Sequence, residues 1–224
     1  AFATNSFGTS YGEQYHFITP VADTDGNVYQ TVAIGTQVWM AENLKTTKYN
    51  DDSAIPNVTD NTEWMGLTTA AYCWANNDEA TYKDMYGALY NWYAVETGNL
   101  CPTGWHVPTD ADFIALEVSL GMSEVDASGT EWRGTDQGEQ LKNTTGWPEE
   151  QNGTNTSGFM ALPAGYRSYQ TGVSEGLGVI TYWWTSTALD DNIAAYRRLD
   201  ADNDAIYRNG TYKQAGKSIR CVKD

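Results

Sequence analysis

Three sets of residues in this chain could do chemistry. The first is sulfur and imidazole: Cys73, Cys101 and Cys221, with His16 and His106. A thiol beside an imidazole makes a nucleophile, and Cys73 with either histidine would supply the pair on paper. No CxxC pair occurs and the two histidines stand far apart, so the ligand set that zinc needs is missing. His106, between Trp105 and Val107, reads as a packed, hydrogen-bonded ring. One disulfide plus one free thiol is the simplest arithmetic for three cysteines. The second set is carboxylate. Asp23, Asp25 and Asn27 have calcium-loop spacing, yet no Glu stands where an EF-hand takes its bidentate ligand. Asp25-Gly26 therefore reads as a turn. Carboxylate pairs abound elsewhere, and in so acidic a chain they carry almost no specificity. No catalytic centre, metal site or cofactor is expected.

The third set is recognition chemistry in the last forty-odd residues. Trp184, Arg197, Leu199, Ile206, Arg208 and Ile219 read as fixed positions, with changeable polar and aromatic residues between them. Strand alternation puts Tyr196 and Arg198, with Asp200 continuing their row, opposite Arg197 and Leu199. Tyrosine and arginine among small polar residues suit binding, since they offer rigid aromatic area and adaptable hydrogen bonds. The expected ligand-binding set is Asp190, Asp191, Asn192, Tyr196, Arg198, Asp200, Asp202, Asn203, Asp204, Tyr207, Asn209 and Tyr212.

A chain of 224 residues is long enough for one large domain or two small ones. Nine Trp and fifteen Tyr predict a core whose N–H and O–H groups need partners. The 21 Gly point to many turns. The net charge of −16 argues against nucleic acid and against docking to anionic lipid. No apolar run approaches the roughly 20 residues of a membrane helix. The chain begins Ala1-Phe2 rather than with Met, which predicts a mature or trimmed chain whose export signal is gone.

Residues 1–20 lack periodicity and read as a tether or added edge segment; the folded domain is expected over 21–224. Val28, Gln30, Val32 and Ile34 at spacing two, then Gly35-Thr36 and 37–41, predict a hairpin. Met85, Leu89, Tyr90, Trp92 and Tyr93 predict a helix over 85–96, with Gly98 beyond its end. Thr109 and Asp112 predict a capped helix running to Gly121. Residues 122–157 read as a long polar loop, functional or locally structured, with Trp132, Leu141 and Trp147 as anchors. Strands are expected at 183–187, 194–199 and 205–208, with a turn at 201–204 and a second turn at Asn209-Gly210. Residues 218–222 are expected to close this sheet.

These anchors together resemble the Fibrobacter succinogenes major paralogous domain, a family of bacterial surface and secreted proteins. The matching stretches include Gln37-Val38-Trp39-Met40-Ala41-Glu42-Asn43-Leu44, Gly87-Ala88-Leu89-Tyr90-Asn91-Trp92-Tyr93-Ala94-Val95 and Cys101-Pro102-Thr103-Gly104-Trp105-His106-Val107-Pro108. Asp25-Gly26-Asn27-Val28-Tyr29, Ala71-Tyr72-Cys73, Ser157-Gly158-Phe159, Trp184-Thr185-Ser186-Thr187 and Ile219-Arg220-Cys221-Val222 complete the set. The resemblance implies an α+β, C-type lectin-like fold: a twisted antiparallel sheet, two helices, long loops and paired first and last strands. It further implies a Cys101–Cys221 disulfide, leaving Cys73 as a buried thiol. The Glu-Pro-Asn and Trp-Asn-Asp signatures of calcium-dependent lectins are absent, as is the C-terminal cysteine pair of the formylglycine-generating relatives. Some C-type lectin-like proteins are diversified by retroelements at the C-terminal face, and the residue mix here fits such a hypervariable face.

The expected function is a non-catalytic, adhesin-like module, secreted or displayed on a bacterial surface, that binds a protein or glycan through its C-terminal sheet. The alternative is a structural subunit of an envelope or pilus assembly that joins a partner through residues 1–20. A C-type lectin-like enzyme comes third.

Overall fold

The computed structural model describes residues 2–5, 8–11 and 19–224. The fold is α+β, with helices set against antiparallel-rich sheets. The larger sheet has six strands, in the order Glu131–Arg133, Ile206–Tyr212, Ile193–Asp200, Ile180–Ala188, Ala164–Arg167 and Ser174–Leu177. Its neighbours are antiparallel except where Gly165 meets Thr181 in parallel. A four-stranded sheet holds Thr31–Ile34, Gln37–Met40, Val222–Lys223 and Trp105–His106. In it Val222, from the end of the chain, pairs with both Trp39 and His106.

The strand Ile180–Ala188 divides the core. Strand alternation sends the adjacent residues Trp183 and Trp184 to opposite faces. Trp183 packs with Trp39, Phe113 and Phe159, while Trp184 packs with Tyr90, Trp92 and the Cys101–Cys221 bridge. Both indoles find acceptors: Trp183 donates to Asn43 Oδ1 at 2.9 Å and Trp184 to the Tyr90 carbonyl at 3.0 Å. Trp64, Trp92 and Trp147 likewise donate to carbonyls, as a Trp-rich core requires.

The disulfide joins Cys101 to Cys221 with Cα atoms 6.0 Å apart, across a sequence separation of 120. A loop of that size constrains the unfolded chain by about 4–5 kcal/mol in the chain-entropy picture. Cys73 is fully buried, and burial pushes its thiol up to about 11 despite the nearby Arg167. The helix Asp110–Ser119 carries the expected capping box of Thr109 and Asp112.

Several expectations are corrected. The helix expected over 85–96 is three elements: a helix Glu79–Tyr86, a strand Ala88–Tyr90 and a helix Trp92–Glu96. Gly87 breaks it at φ 72°, where its backbone passes so close to Leu44 that a Cβ would lie 2.7 Å from that carbonyl. Asn91 then caps the following helix through its side chain. All three strand residues are buried, so their apolar run imitates a helical face.

Asn209-Gly210 is not a turn. It lies inside the strand Ile206–Tyr212, opposite Tyr196 and Ala195. Glycine packs closely there, since a Cβ would crowd the side chains of Leu189 and Ile193. Residues 218–222 do not close one sheet but cross between two, for Ser218 bridges Trp183 and Val222 joins the smaller sheet. The loop 122–157 is locally structured, with helices Glu124–Ser128 and Gln137–Leu141 around the strand Glu131–Arg133. Within the expected tether 1–20, Phe2–Asn5 and Gly8–Tyr11 pair as a hairpin; residues 1, 6–7 and 12–18 of that call lie outside the described residues.

Candidate functional site

The larger sheet presents one face built from aromatic rings around a single guanidinium. Residues directly opposite on antiparallel strands point the same way. The register sets Tyr182 against Arg198, Arg198 against Tyr207, and Tyr207 against Trp132, so one row crosses four strands. The Arg198 guanidinium lies 5.5 Å from the Tyr182 ring, 5.6 Å from Trp132 and 5.7 Å from Tyr207. Contacts of this kind contribute about 0.5–2 kcal/mol each, more when desolvated. Arg198 also forks onto the carboxylate of Asp200, two residues on. The rings continue as a chain, Trp132 to Tyr207 to Tyr196 to Tyr182 to Tyr166, with centroids 4.8–6.2 Å apart. Trp132 is 38% exposed, and Arg198 and Tyr207 are half-buried.

The opposite face of the same strands is locked to the helix Asp110–Ser119. Glu117, fully buried, accepts from Arg197 Nε at 2.7 Å and from Arg133 at 2.7 and 3.1 Å. Asp110 accepts from Arg197 at 2.6 Å and from Arg208 at 2.6 and 2.9 Å. Burial alone would raise the Asp110 carboxyl; Arg208 and Arg197 outweigh it and hold it down at about 2. The arginines read as fixed positions, Arg197 and Arg208, thus pin this sheet to the helix behind it.

The structure divides the expected site residues. Tyr196, Arg198, Asp200, Tyr207 and Asn209 share the aromatic face. Tyr196, however, is only 9% exposed, so it forms the floor of the face and not a projecting contact. Burial pushes its hydroxyl well above the ordinary tyrosine value. Asp200 is equally buried and neutralised by Arg198. Tyr212 is 45% exposed, and its ring packs at a tilt against Tyr169 with centroids 4.8 Å apart.

The acidic turns do not join this group. Asp190, Asp191 and Asn192 lie before the strand Ile193–Asp200, and Asp202, Asn203 and Asp204 lie after it. Eight extended residues separate them, a span of about 25 Å. Asp190 is used within its turn, accepting from the backbone N–H groups of Asn192 and Ile193. Asn203 accepts from the Ala205 N–H, and Asp204 faces Lys142 Nζ at 3.4 Å. Trp132, Tyr166 and Tyr182 were not assigned to the face from sequence. Trp132 arrives from the long polar loop, where an isolated Trp was the available signal.

The other chemical candidates are accounted for. Asp23 binds the Asn27 N–H and the Tyr29 hydroxyl, and Asp25 binds the Thr47 N–H and hydroxyl, as turn residues do. His106 is hydrogen-bonded but 40% exposed at its side chain rather than packed, 2.7 Å from Asp224 and 3.3 Å from Asp112. Among the described residues, no group of three or more His, Cys, Asp or Glu could hold a metal ion. None of the described helices is long and apolar enough to cross a membrane.

No curated protein and no solved structure gives a significant match to the chain. The model of the Fibrobacter succinogenes major domain matches residues 32–223, nearly the whole chain, and the chain belongs to that family.

Proposed function

We propose that this protein is a non-catalytic binding module that recognises a protein or glycan with the aromatic face of its larger sheet. The observation that carries the reading is the row Trp132, Tyr207, Arg198 and Tyr182, held from behind by the Arg197–Glu117 network. Rigid rings around an arginine lose little conformational entropy on binding, and such residues dominate the energetics of interfaces. We read the fold as C-type lectin-like. Support comes from the pairing of Val222 with Trp39 and from the disulfide that fastens this strand to Cys101. The disulfide also fits an oxidising, extracellular setting, hence secretion or surface display. The variable-looking polar residues on the face fit genetic diversification.

The experiment is a glycan and protein array probed with the purified protein and with Trp132→Ala. Trp132 contacts Arg198 and Tyr207, so its loss should cost about 1–2 kcal/mol, a fall of about 2–8 °C in melting temperature that leaves the protein folded at the assay temperature. Binding should fall at least tenfold; unchanged binding would remove the face from consideration. Replacing Tyr196 and Arg198 together is a poorer test. It would truncate a buried ring and strand the buried Asp200 carboxylate, so stability would fall with binding.

A further inference from the structure

Lys217 is the one cation among the described residues that is buried without an ion pair or a hydrogen bond. It is 2% exposed. The buried Arg133, Arg197, Lys142 and Lys213 each face a carboxylate, and Arg167 and Arg220 bond to carbonyls and side-chain amides. Lys217 faces ring surfaces instead. Its Nζ lies 3.9 Å from the centroid of Tyr182, 4.4 Å from Tyr196, 5.0 Å from Trp184 and 5.5 Å from Tyr166. Its backbone is held on both sides, donating to and accepting from Tyr90 at 2.9 Å. The side chain is therefore aimed by the fold.

Three of those rings, Tyr166, Tyr182 and Tyr196, line a pocket of about 170 Å³ together with Lys217. Gln170 and Thr211 line it as well, and the Glu175 carboxylate there accepts from Tyr166 and Thr171. The net charge of −16 repels anions at long range, so an anionic ligand needs a local cation that no protein carboxylate has already claimed. The Lys217 ammonium has three donors and no hydrogen bond to a described protein group, so an anion in the pocket would meet an unclaimed charge.

We infer that this pocket binds the carboxylate of an acidic sugar, a hexuronate residue of a glycan, with Lys217 as its counter-ion. The tyrosine rings supply apolar walls against which the C–H edges of a pyranose fit, by the same quadrupole attraction that governs aromatic contacts. Gln170 and Thr211 supply partners for its hydroxyls. Burial and the charge of Arg198 lower the Lys217 ammonium well below the ordinary lysine value. A carboxylate in contact with it acts in the opposite direction and favours the charged form. The inference rests on the proposed binding role of this sheet and narrows its ligand class.

The test is calorimetric titration of the full chain with oligogalacturonate and oligoglucuronate, and with uncharged galactose and glucose oligomers as comparators. Wild type should bind at least one of the uronates and bind the neutral oligomers at least tenfold more weakly. Lys217→Met keeps the length of the side chain without the charge and should weaken uronate binding at least tenfold. Thr211→Trp, which adds bulk to the pocket lining and leaves Lys217 intact, should do the same and serves if the Met variant fails to fold. Equal binding of uronate and neutral oligomers, equal binding by the variants, or no uronate binding by wild type would each overturn the inference. The Trp132→Ala array result is read separately, so the binding face can stand while the uronate assignment falls.

Discussion

The buried carboxylate of Glu117 accepts a 2.7 Å hydrogen bond from Arg197 Nε, joining a helix to the sheet across 80 residues of sequence. Arg133 completes the group from a third element. Glu117→Leu would strand the buried Arg133 guanidinium without a counter-ion and leave Arg197 with Asp110 alone. The expected cost is about 3–5 kcal/mol, read from urea unfolding. A loss under about 1 kcal/mol would mean the network is not what holds the face in register.

Asp110 predicts a specific acid sensitivity. Its folded value, about 2, lies below the ordinary 3.8, because Arg208 and Arg197 outweigh the effect of burial. The stability it contributes is present above about pH 3.8 and is lost as the pH falls towards 2. That contribution is about 1–2 kcal/mol after allowance for its partly exposed edge. Asp110→Asn should therefore be less stable than wild type at pH 7, and the gap should close by pH 2 in thermal melts at both values.

Gly87 is a backbone requirement, not a spacer. Its φ of 72° and its contact with the Leu44 carbonyl leave no room for a methyl group. Gly87→Ala should destabilise by at least about 2 kcal/mol. Gly98→Ala offers the comparison, since φ there is 74° but open space surrounds the Cβ position, so only the strain remains. Equal losses at the two sites would argue against close packing at Gly87.

Sulfur chemistry should be silent in the native state. With Cys101 and Cys221 bonded and Cys73 buried with its thiol at about 11, iodoacetamide should add to no cysteine at pH 7.5 without denaturant. In denaturant without reductant it should add once, at Cys73. Replacing Cys101 and Cys221 together by Ala should lower stability by about 3–5 kcal/mol.

Local patterns carried much of the fold. The Thr109–Asp112 capping box and the Gly35-Thr36 hairpin stand where spacing put them, because each is satisfied within a few residues. Motif order was enough for the family and for the Cys101–Cys221 bridge. Alternation correctly separated Tyr196 and Arg198 from Arg197 and Leu199, since that period is a property of the strand itself.

Long-range packing decided what lay beyond those patterns. Gly87 splits an apparent helix because Leu44, distant in sequence, passes against it. Asn209-Gly210 stays inside a strand because the neighbouring strand pairs with it at Tyr196 and Ala195. The gathering of Trp132, Tyr207, Arg198 and Tyr182 into one row depends on strand order, which no single segment encodes. Burial of Tyr196 and the enclosure of Lys217 by four rings have the same origin. Residue type and period are local properties of the chain, whereas solvent access and charge partners depend on which distant segments arrive beside a residue. That is why the face was legible as a composition and its working geometry was not.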